Sequence, residues 1–398
     1  LIYIGGKNMK KILTILQPSV IDYERKVYSH RDSGIGVQLG MLRKIGSKYK
    51  WVHVLPKLTD GYHTQFEKYG YVYQWDYPLN TYEARFKVGI NSIPKMDYDF
   101  IQNNIPEKAK EIKTIYYDVP LMYANYFIDT PTYPKTQGAS LYPKQLEGAI
   151  SSDILTFTTE SIREDFIQNA PKTIREILEN KPTYILDVGF SAFEIDSFDE
   201  NKFNFKYQYD ESLPIVFFPN RISKPDYTNF EKFAKAIQII ESKYPDFKFN
   251  LFIANPSGKY YTKEDFKSMF KNYIPIDLLS REEYLYILKK AYCVINLFLY
   301  ELYGGCANTE AIYAGAYPIM PKVFEYAKRA PEDYPFFVNL KSGSFEIDEE
   351  DLANKIYDCL NSQKDQNLIN WMRKNIYEKS SLEKAAEVLD LIIQKHSK

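Results

Sequence analysis

Cysteine and histidine are both scarce in this 398-residue chain, with three Cys and four His. Cys293, Cys306 and Cys359 form no C-x-x-C pair and have no histidine cluster beside them, which excludes a disulfide scaffold and a structural zinc site. Unpaired thiols without an export signal predict a reducing, cytoplasmic location. Net charge is lacking as well. The 51 Lys+Arg against 52 Asp+Glu leave a formal charge of −1, which removes the global basic excess that many non-specific nucleic-acid binders carry. No window approaches the ~18 uninterrupted apolar residues of a membrane helix, so no transmembrane segment is expected. Residues 1–8, ahead of Met9, are too short and have the wrong charge order for a signal peptide, and read as an extension or alternative start. A complete G-x-G-x-x-G is also missing, which weighs against a dinucleotide enzyme.

What is present fits a folded chain. Apolar residues make up 45% and charged residues 26%, the proportions of a globular protein. At roughly 150 residues per domain the length predicts two domains. The 36 Tyr and 25 Phe exceed what any reaction chemistry would require, and most fall outside every motif.

Short buried strands alternate with helices throughout. Lys10 to Leu16 contains a strand-length apolar run, and a loop then leads to Ser33-Gly34-Ile35-Gly36 and a helical stretch from Val37 to Ile45. Trp51 to Leu55, Tyr98 to Ile101, Thr114 to Tyr117 and Ile154 to Phe157 read as further strands. That alternation predicts a parallel sheet covered on both faces. Tyr184 to Gly189 reads as another strand. The acidic stretch from Glu194 to Glu211 shows no apolar periodicity and is taken as the linker. The pattern then restarts, with strands at Pro214 to Phe218, Phe249 to Ile253, Cys293 to Leu297 and Tyr317 to Met320. Helices are expected at Asn229 to Lys243, Arg281 to Ala291 and Thr309 to Ala314, and helical periodicity closes the chain at Leu352 to Leu360 and Leu382 to Ile393.

The expected architecture is therefore α/β, with two Rossmann-like doubly wound domains facing a central cleft. Residues 9–195 form the first domain and 212–375 the second, while 376–398 provide a C-terminal helix that packs back on the first. Ligands of such sheets bind outside the carboxyl ends of the strands.

One segment carries the most information: Glu301-Leu302-Tyr303-Gly304-Gly305-Cys306-Ala307-Asn308-Thr309-Glu310-Ala311, followed by Gly315 and Pro318. It sets a glycine turn and a helix start between two buried strands. Backbone N–H groups of Gly304, Gly305, Cys306 and Ala307 at a helix N-terminus suit an anion such as a diphosphate. A carboxylate accepts paired hydrogen bonds from a vicinal diol, so Glu310 suits ribose hydroxyls and Glu301 a sugar ring. A glycine turn with a capping-type acid would leave the same spacing.

This stretch resembles the signature of retaining glycosyltransferases of the GT-B fold, of the family 4 type. There two glutamates flank a glycine turn and precede Glu-Ala, Gly and Pro before the next strand. The resemblance implies that Glu301 and the turn amides hold the donor sugar and that Glu310 binds the nucleotide ribose. The Glu301–Glu310 separation of nine is one residue longer than the family's. The resemblance also implies that Arg221 and Lys224, in Phe218-Pro219-Asn220-Arg221-Ile222-Ser223-Lys224, bind the donor diphosphate, so that no metal or other cofactor is required. It places the nucleobase near Ile274 to Leu279, ahead of the helix starting at Arg281. Gly34 and Gly36 approach the donor from the other side. Asp118, at the end of the strand Ile115-Tyr116-Tyr117, faces the acceptor hydroxyl, with His30 as a second candidate.

The implied reaction transfers a sugar from a nucleoside-diphosphate sugar, with a UDP-sugar favoured, to an acceptor hydroxyl with retention. Residues 1–50 hold ten Lys+Arg against three acids, and a basic face would attract a polyanionic acceptor. Two acceptors fit: a hydroxymethylated base in duplex DNA, given a similarity to phage DNA glycosyltransferases, or a cell-surface glycan or lipid at the inner face of a membrane. A sugar-nucleotide 2-epimerase and a non-catalytic sugar-nucleotide binding module are the alternatives. Oligomeric state is not legible.

Overall fold

The structure is a computed structural model that describes residues 11–15, 20–22, 27–29, 40–56, 68–75, 115–118, 146, 149–150, 154–187, 189–220, 222, 226, 228–255, 260–299 and 305–396. The chain divides into two compact units: Leu1–Thr130, Pro134–Val188 and Leu382–Lys398 form the first, and Pro131–Tyr133 and Gly189–Ser381 the second. The expected strand over Tyr98 to Ile101 and the loop holding His30, Gly34 and Gly36 lie outside the described residues.

The first unit opens with β1 (Lys11–Ile15), β2 (Val20–Asp22) and β3 (Val27–Ser29), then helical residues 40–45, β4 (Lys50–Pro56), β5 (Gly70–Trp75), β6 (Ile115–Asp118) and β7 (Ile154–Phe157). Helices α1 (Glu160–Gln168) and α2 (Lys172–Glu179) and strand β8 (Thr183–Ile185) follow. Two parallel sheets result, in the orders β1-β4-β5 and β6-β7-β8, beside an antiparallel pair β2-β3. Strand β5 is not among the strands expected from the sequence. Its first residue must be glycine, because a β-carbon at Gly70 would lie 2.5 Å from the Trp51 carbonyl oxygen. Thr159 caps α1 by accepting from the Ile162 N–H.

The second unit begins with α3 (Ala192–Ser197), capped by Ser191, whose hydroxyl accepts from the Glu194 N–H. It continues through β9 (Ile215–Phe218), α4 (Phe230–Lys243), β10 (Asn250–Ile253), α5 (Lys263–Met269), α6 (Arg281–Lys290), β11 (Cys293–Ile295) and α7 (Cys306–Ala314). Then come β12 (Tyr317–Pro321), β13 (Phe337–Val338), α8 (Glu349–Asn361) and α9 (Gln366–Ser380). All five strands are parallel, in the order β10-β9-β11-β12-β13. The chain steps outward from β9 to β10 and then back across β9 to β11, so strand order reverses between β9 and β11.

Helix α4 shows why these residues form these elements. Phe230, Phe233, Ala234, Ile237 and Ile240 recur at helical spacing and are all buried, with Phe233 stacked on Phe218 of β9 at 4.8 Å. Glu241 on the same face is buried too, but it accepts from the Asn272 backbone N–H at 3.0 Å and its Nδ2 at 2.9 Å.

The segment expected to be a linker without periodicity, Glu194 to Glu211, lies wholly in the second unit. Glu194 to Ser197 complete α3, and from Phe203 to Asp210 the period is two. Phe203, Phe205, Tyr207 and Tyr209 are half-buried while Asn204, Lys206, Gln208 and Asp210 between them are exposed. Phe205 stacks on Tyr286 of α6 at 4.4 Å, and the Tyr209 and Tyr286 hydroxyls share a hydrogen bond of 3.0 Å. Aromatic rings at alternate positions of an extended chain reach one face, a pattern hidden by the polar residues between them.

The last helix, α10 (Leu382–His396), belongs to the first unit. Leu382, Ala385, Ala386 and Ile393 pack with Met41, Leu42, Ile45, Tyr49, Trp51 and Leu186. Asp390 accepts from Lys48 at 2.6 Å and from the Tyr49 hydroxyl at 2.5 Å. Burial opposes the Asp390 charge, but these donors outweigh it and hold the carboxyl below its ordinary value.

Gly189, the first residue of the second unit's main segment, leaves no room for a side chain. An added β-carbon would meet Thr309 Oγ1 at 2.8 Å and the Ser380 backbone oxygen at 3.1 Å. Thr309 is fully buried and its hydroxyl donates to the Cys306 carbonyl at 2.9 Å, so it has nowhere to move. Gly189→Ala is expected to destabilise the protein by about 1–3 kcal/mol, the usual range for overpacking. A urea midpoint equal to wild type would contradict this.

Candidate functional site at the carboxyl edge of the second sheet

In an open parallel sheet the ligand crevice lies outside the carboxyl ends of the strands where strand order reverses. Here that point lies beyond Phe218 and Ile295. Asn220 follows β9 and its Nδ2 donates to the Ile295 carbonyl at 3.0 Å and to Asn296 Oδ1 at 3.3 Å. Asn296, directly after β11, is buried, and its Nδ2 has no partner among the described residues. Asn220 falls in the loop segment expected to bind the diphosphate and Asn296 within the expected strand Cys293 to Leu297, and the sequence assigns neither a role. Their signal was a polar residue ending an otherwise apolar strand.

Helix α7 starts at the same edge. Gly305, its N-cap, has φ 66° and ψ 122°, a left-handed-side φ that glycine adopts without strain. The helix begins at Cys306, three residues earlier than the expected Thr309, and its first backbone bond runs from the Thr309 N–H to the Gly305 carbonyl at 2.9 Å. The N–H groups of Gly305, Cys306, Ala307 and Asn308 therefore sit at the positive end of the helix dipole. Cys306 is exposed and Asn308 fully buried. At the other end Gly315 takes φ 92°, and its N–H donates to the Ala311 and Ile312 carbonyls. The Gly of the sequence signature thus stops the helix, and Pro318 lies in β12.

Glu310 is in the second turn of α7 and is buried, with 8% of its surface exposed. Both of its carboxylate oxygens are engaged from α6. Arg281 Nη2 donates to Oε1 at 2.5 Å and the Tyr284 hydroxyl donates to Oε2 at 2.8 Å. Arg281 also bridges to Glu194 of α3 at 2.8 Å, and its guanidinium lies over the Tyr284 ring at 5.1 Å. Local sequence sets this up: Ser280 and Glu283 form a reciprocal capping box that starts α6, placing Arg281 and Tyr284 three residues apart on one face. Burial pushes the Tyr284 hydroxyl well above its ordinary pKa and the neighbouring Glu310 charge adds to this, so Tyr284 remains a proton donor. Burial works against the Arg281 charge, but Glu310 and Glu194 outweigh it and raise its pKa. Nothing in the linear spacing joins Arg281 to Glu310 or to Glu194.

Of the other expected site residues, Glu301, Gly304, Arg221 and Lys224 lie outside the described residues. Asp118 closes β6, paired in register with Phe157. The segment expected to face a nucleobase, Ile274 to Leu279, leads from an extension pairing Tyr273 with Leu251 of β10 into α6. Its Asp277 N–H donates to the Tyr207 hydroxyl at 3.0 Å, Asp277 pairs with Lys263, and Leu278 is 58% exposed.

No protein-family model matches the sequence, and neither does any curated protein. Solved structures do share the fold along the whole chain. Sucrose-phosphate synthase from Thermosynechococcus elongatus is similar with a TM-score of 0.65 and 12% identity, over 97% of this chain and 98% of that one. HepE from Anabaena, solved with UDP and glucose, gives 0.60 and 12% identity over 97% and 100%. A putative UDP-N-acetylglucosamine 2-epimerase from Listeria monocytogenes gives 0.55 and 11% identity over 98% and 97%. The fold is therefore GT-B, an α/β architecture of two Rossmann-like units. Among the described residues no helix is long and apolar enough to cross a membrane.

Proposed function

We propose that this chain is a glycosyltransferase that moves a sugar from a nucleoside-diphosphate sugar, a UDP-sugar first of all, to an acceptor hydroxyl with retention at the anomeric carbon. One observation carries the reading. A buried, ionically anchored Glu310 stands one turn into a glycine-started helix at the carboxyl edge of a sheet whose strand order reverses beside it. The likeness to a sucrose-phosphate synthase and to HepE solved with UDP supports it.

In this reading Glu310 accepts the ribose hydroxyls and the amides from Gly304 to Ala307 face the diphosphate. Arg221 and Lys224 supply the countercharge as the diphosphate leaves, which makes a divalent metal unnecessary. Glu301 holds the sugar, Gly34 and Gly36 serve as a second glycine loop for the donor, and Asp118 serves the acceptor hydroxyl. The basic excess of residues 1–50 supports a polyanionic acceptor, either hydroxymethylated duplex DNA or a membrane-associated glycan or lipid.

The direct test is a thermal-shift series with UDP, GDP and ADP, followed by UDP-sugar turnover with each acceptor. A nucleotide bound only by the folded protein at about a hundredfold over its Kd contributes about 2.7 kcal/mol, expected here as a rise of a few degrees with UDP. No shift with any of the three nucleotides would overturn the reading. UDP release only with hydroxymethylated DNA, or only with a glycolipid, assigns the acceptor.

The fold shared with a putative 2-epimerase favours one second reading. It is distinguished by incubating UDP-N-acetylglucosamine without an acceptor: a sugar inverted at C2 supports the epimerase, and its absence together with acceptor-dependent UDP release supports the transferase. UDP binding with no turnover at all would leave a binding module.

A further inference from the structure

Glu310 is gripped by side chains to which the donor reading gives no role. An ionised carboxylate offers about four acceptor positions, two on each oxygen. Arg281 takes one on Oε1 and Tyr284 one on Oε2. One position therefore remains on each oxygen, which is what a vicinal diol needs to donate one O–H to each. The grip also fixes the carboxylate plane. Arg281 is tied to Glu194 at 2.8 Å, and the Tyr284 ring packs edge-on against Phe217 of β9 with centroids 5.5 Å apart. Three elements, α3, α6 and β9, thus bear on the orientation of one carboxylate. The Glu194, Arg281 and Glu310 side chains together keep one net negative charge, which receives neutral hydroxyls and repels a phosphate.

We propose that Arg281 and Tyr284 are positioning residues that make Glu310 a reader of the ribose 2′,3′-diol, so that the site selects ribonucleoside over deoxyribonucleoside diphosphates. The inference rests on the nucleotide-donor reading above. A nucleotide lacking the 2′-hydroxyl leaves one charged acceptor of a buried, oriented carboxylate without a donor, and sites of that kind reject the incomplete ligand strongly. A carboxylate free to turn would instead re-aim its remaining lone pairs and discriminate less.

The experiment is calorimetric titration of the full chain with UDP and with 2′-deoxy-UDP, for wild type, Tyr284→Phe and Arg281→Gln. Tyr284→Phe removes one oxygen and keeps the ring against Phe217, so folding is preserved. Wild type is expected to prefer UDP by about tenfold or more. Both variants are expected to bring that ratio to within about threefold, with affinity for 2′-deoxy-UDP within about twofold of wild type. A Tyr284→Phe protein that keeps the wild-type ratio, or that loses both nucleotides equally, overturns the positioning role and leaves the donor reading standing. So does a wild type that binds UDP and 2′-deoxy-UDP alike. A wild type that binds neither, and neither GDP nor ADP, removes the donor reading and this inference with it.

Discussion

Replacing Glu310 by alanine is expected to weaken UDP binding by about 10²-fold and to lower turnover at subsaturating UDP-sugar by at least as much. The estimate follows from what the carboxylate would contribute. A hydrogen bond to a charged group is worth about 1.5–3 kcal/mol, and each 1.4 kcal/mol is about tenfold in affinity. The variant would lose two such bonds to ribose, partly offset where water reaches the vacated space. It would also strand the Tyr284 hydroxyl, whose acceptor is Glu310. Arg281 would keep its bridge to Glu194 and so remain paired, which limits the cost to folding. Glu310→Gln separates charge from shape: its amide oxygen can still accept from Tyr284, but its NH₂ faces the Arg281 guanidinium and repels it. An intermediate loss is expected for Gln. Titration of UDP into each variant checks this, and an alanine variant with wild-type affinity and turnover would remove Glu310 from the donor site.

Much of this site can be read from local sequence. Glu310, the glycine turn and the Gly315 stop lie within fifteen residues, and each has a local cause: a helix start, an acid one turn on, and a left-handed cap. The β9 and β11 strands are continuous apolar runs, so the parallel sheet follows from their composition. The grip on Glu310 was not legible in the same way. Arg281 and Tyr284 are brought to it, and Glu194 to Arg281, only when α3 and α6 pack near α7, and such contacts over 26 to 87 positions leave no mark on spacing. Asn220 and Asn296 were hidden for a related reason. A polar residue ending a strand is common, and only strand order showed that these two ends meet where the sheet reverses.

The aromatic excess shows a different limit. Composition marked it as unrelated to chemistry, and the structure gives it a packing role instead. Phe217, Phe218, Phe230, Phe233 and Phe252 fill the second unit's core, and the alternating rings from Phe203 to Tyr209 cover that unit's β10 and α6 side. The acids of Glu194 to Glu211 and its lack of a helical period suggest a linker. From Phe203 to Asp210 half-buried rings alternate with the exposed polar residues Asn204, Lys206, Gln208 and Asp210, a period of two that no helical pattern contains.

Acid should weaken the second unit through Glu349. It is the first residue of α8, where a negative charge favours the helix dipole, and its side chain is only 8% exposed. Lys341 reaches it at 2.6 Å, Lys232 at 3.0 Å and Lys235 at 3.6 Å, so one carboxylate ties α8 to α4 and to the turn after β13. Burial pushes its pKa up, but Lys341 and Lys232 pull harder, and it falls from 4.5 to about 2. A folded pKa below the unfolded one means that the folded state holds the charged form more strongly. The stabilisation is then complete above pH 4.5 and is lost as pH falls through about 2. One pKa unit is about 1.4 kcal/mol, so the fall from 4.5 to about 2 corresponds to about 3.5 kcal/mol, which solvent screening at the exposed ends of the lysines reduces to about 2–3 kcal/mol at neutral pH. Glu349→Gln should be less stable than wild type by about that amount at pH 7, and the gap should close steadily between pH 4.5 and pH 2 as wild type loses its charge. Paired urea titrations across that range isolate the contribution from those of other carboxylates, which both proteins share. Two stability curves that stay parallel from pH 7 to pH 2 would show that the lysines do not hold Glu349 in this way.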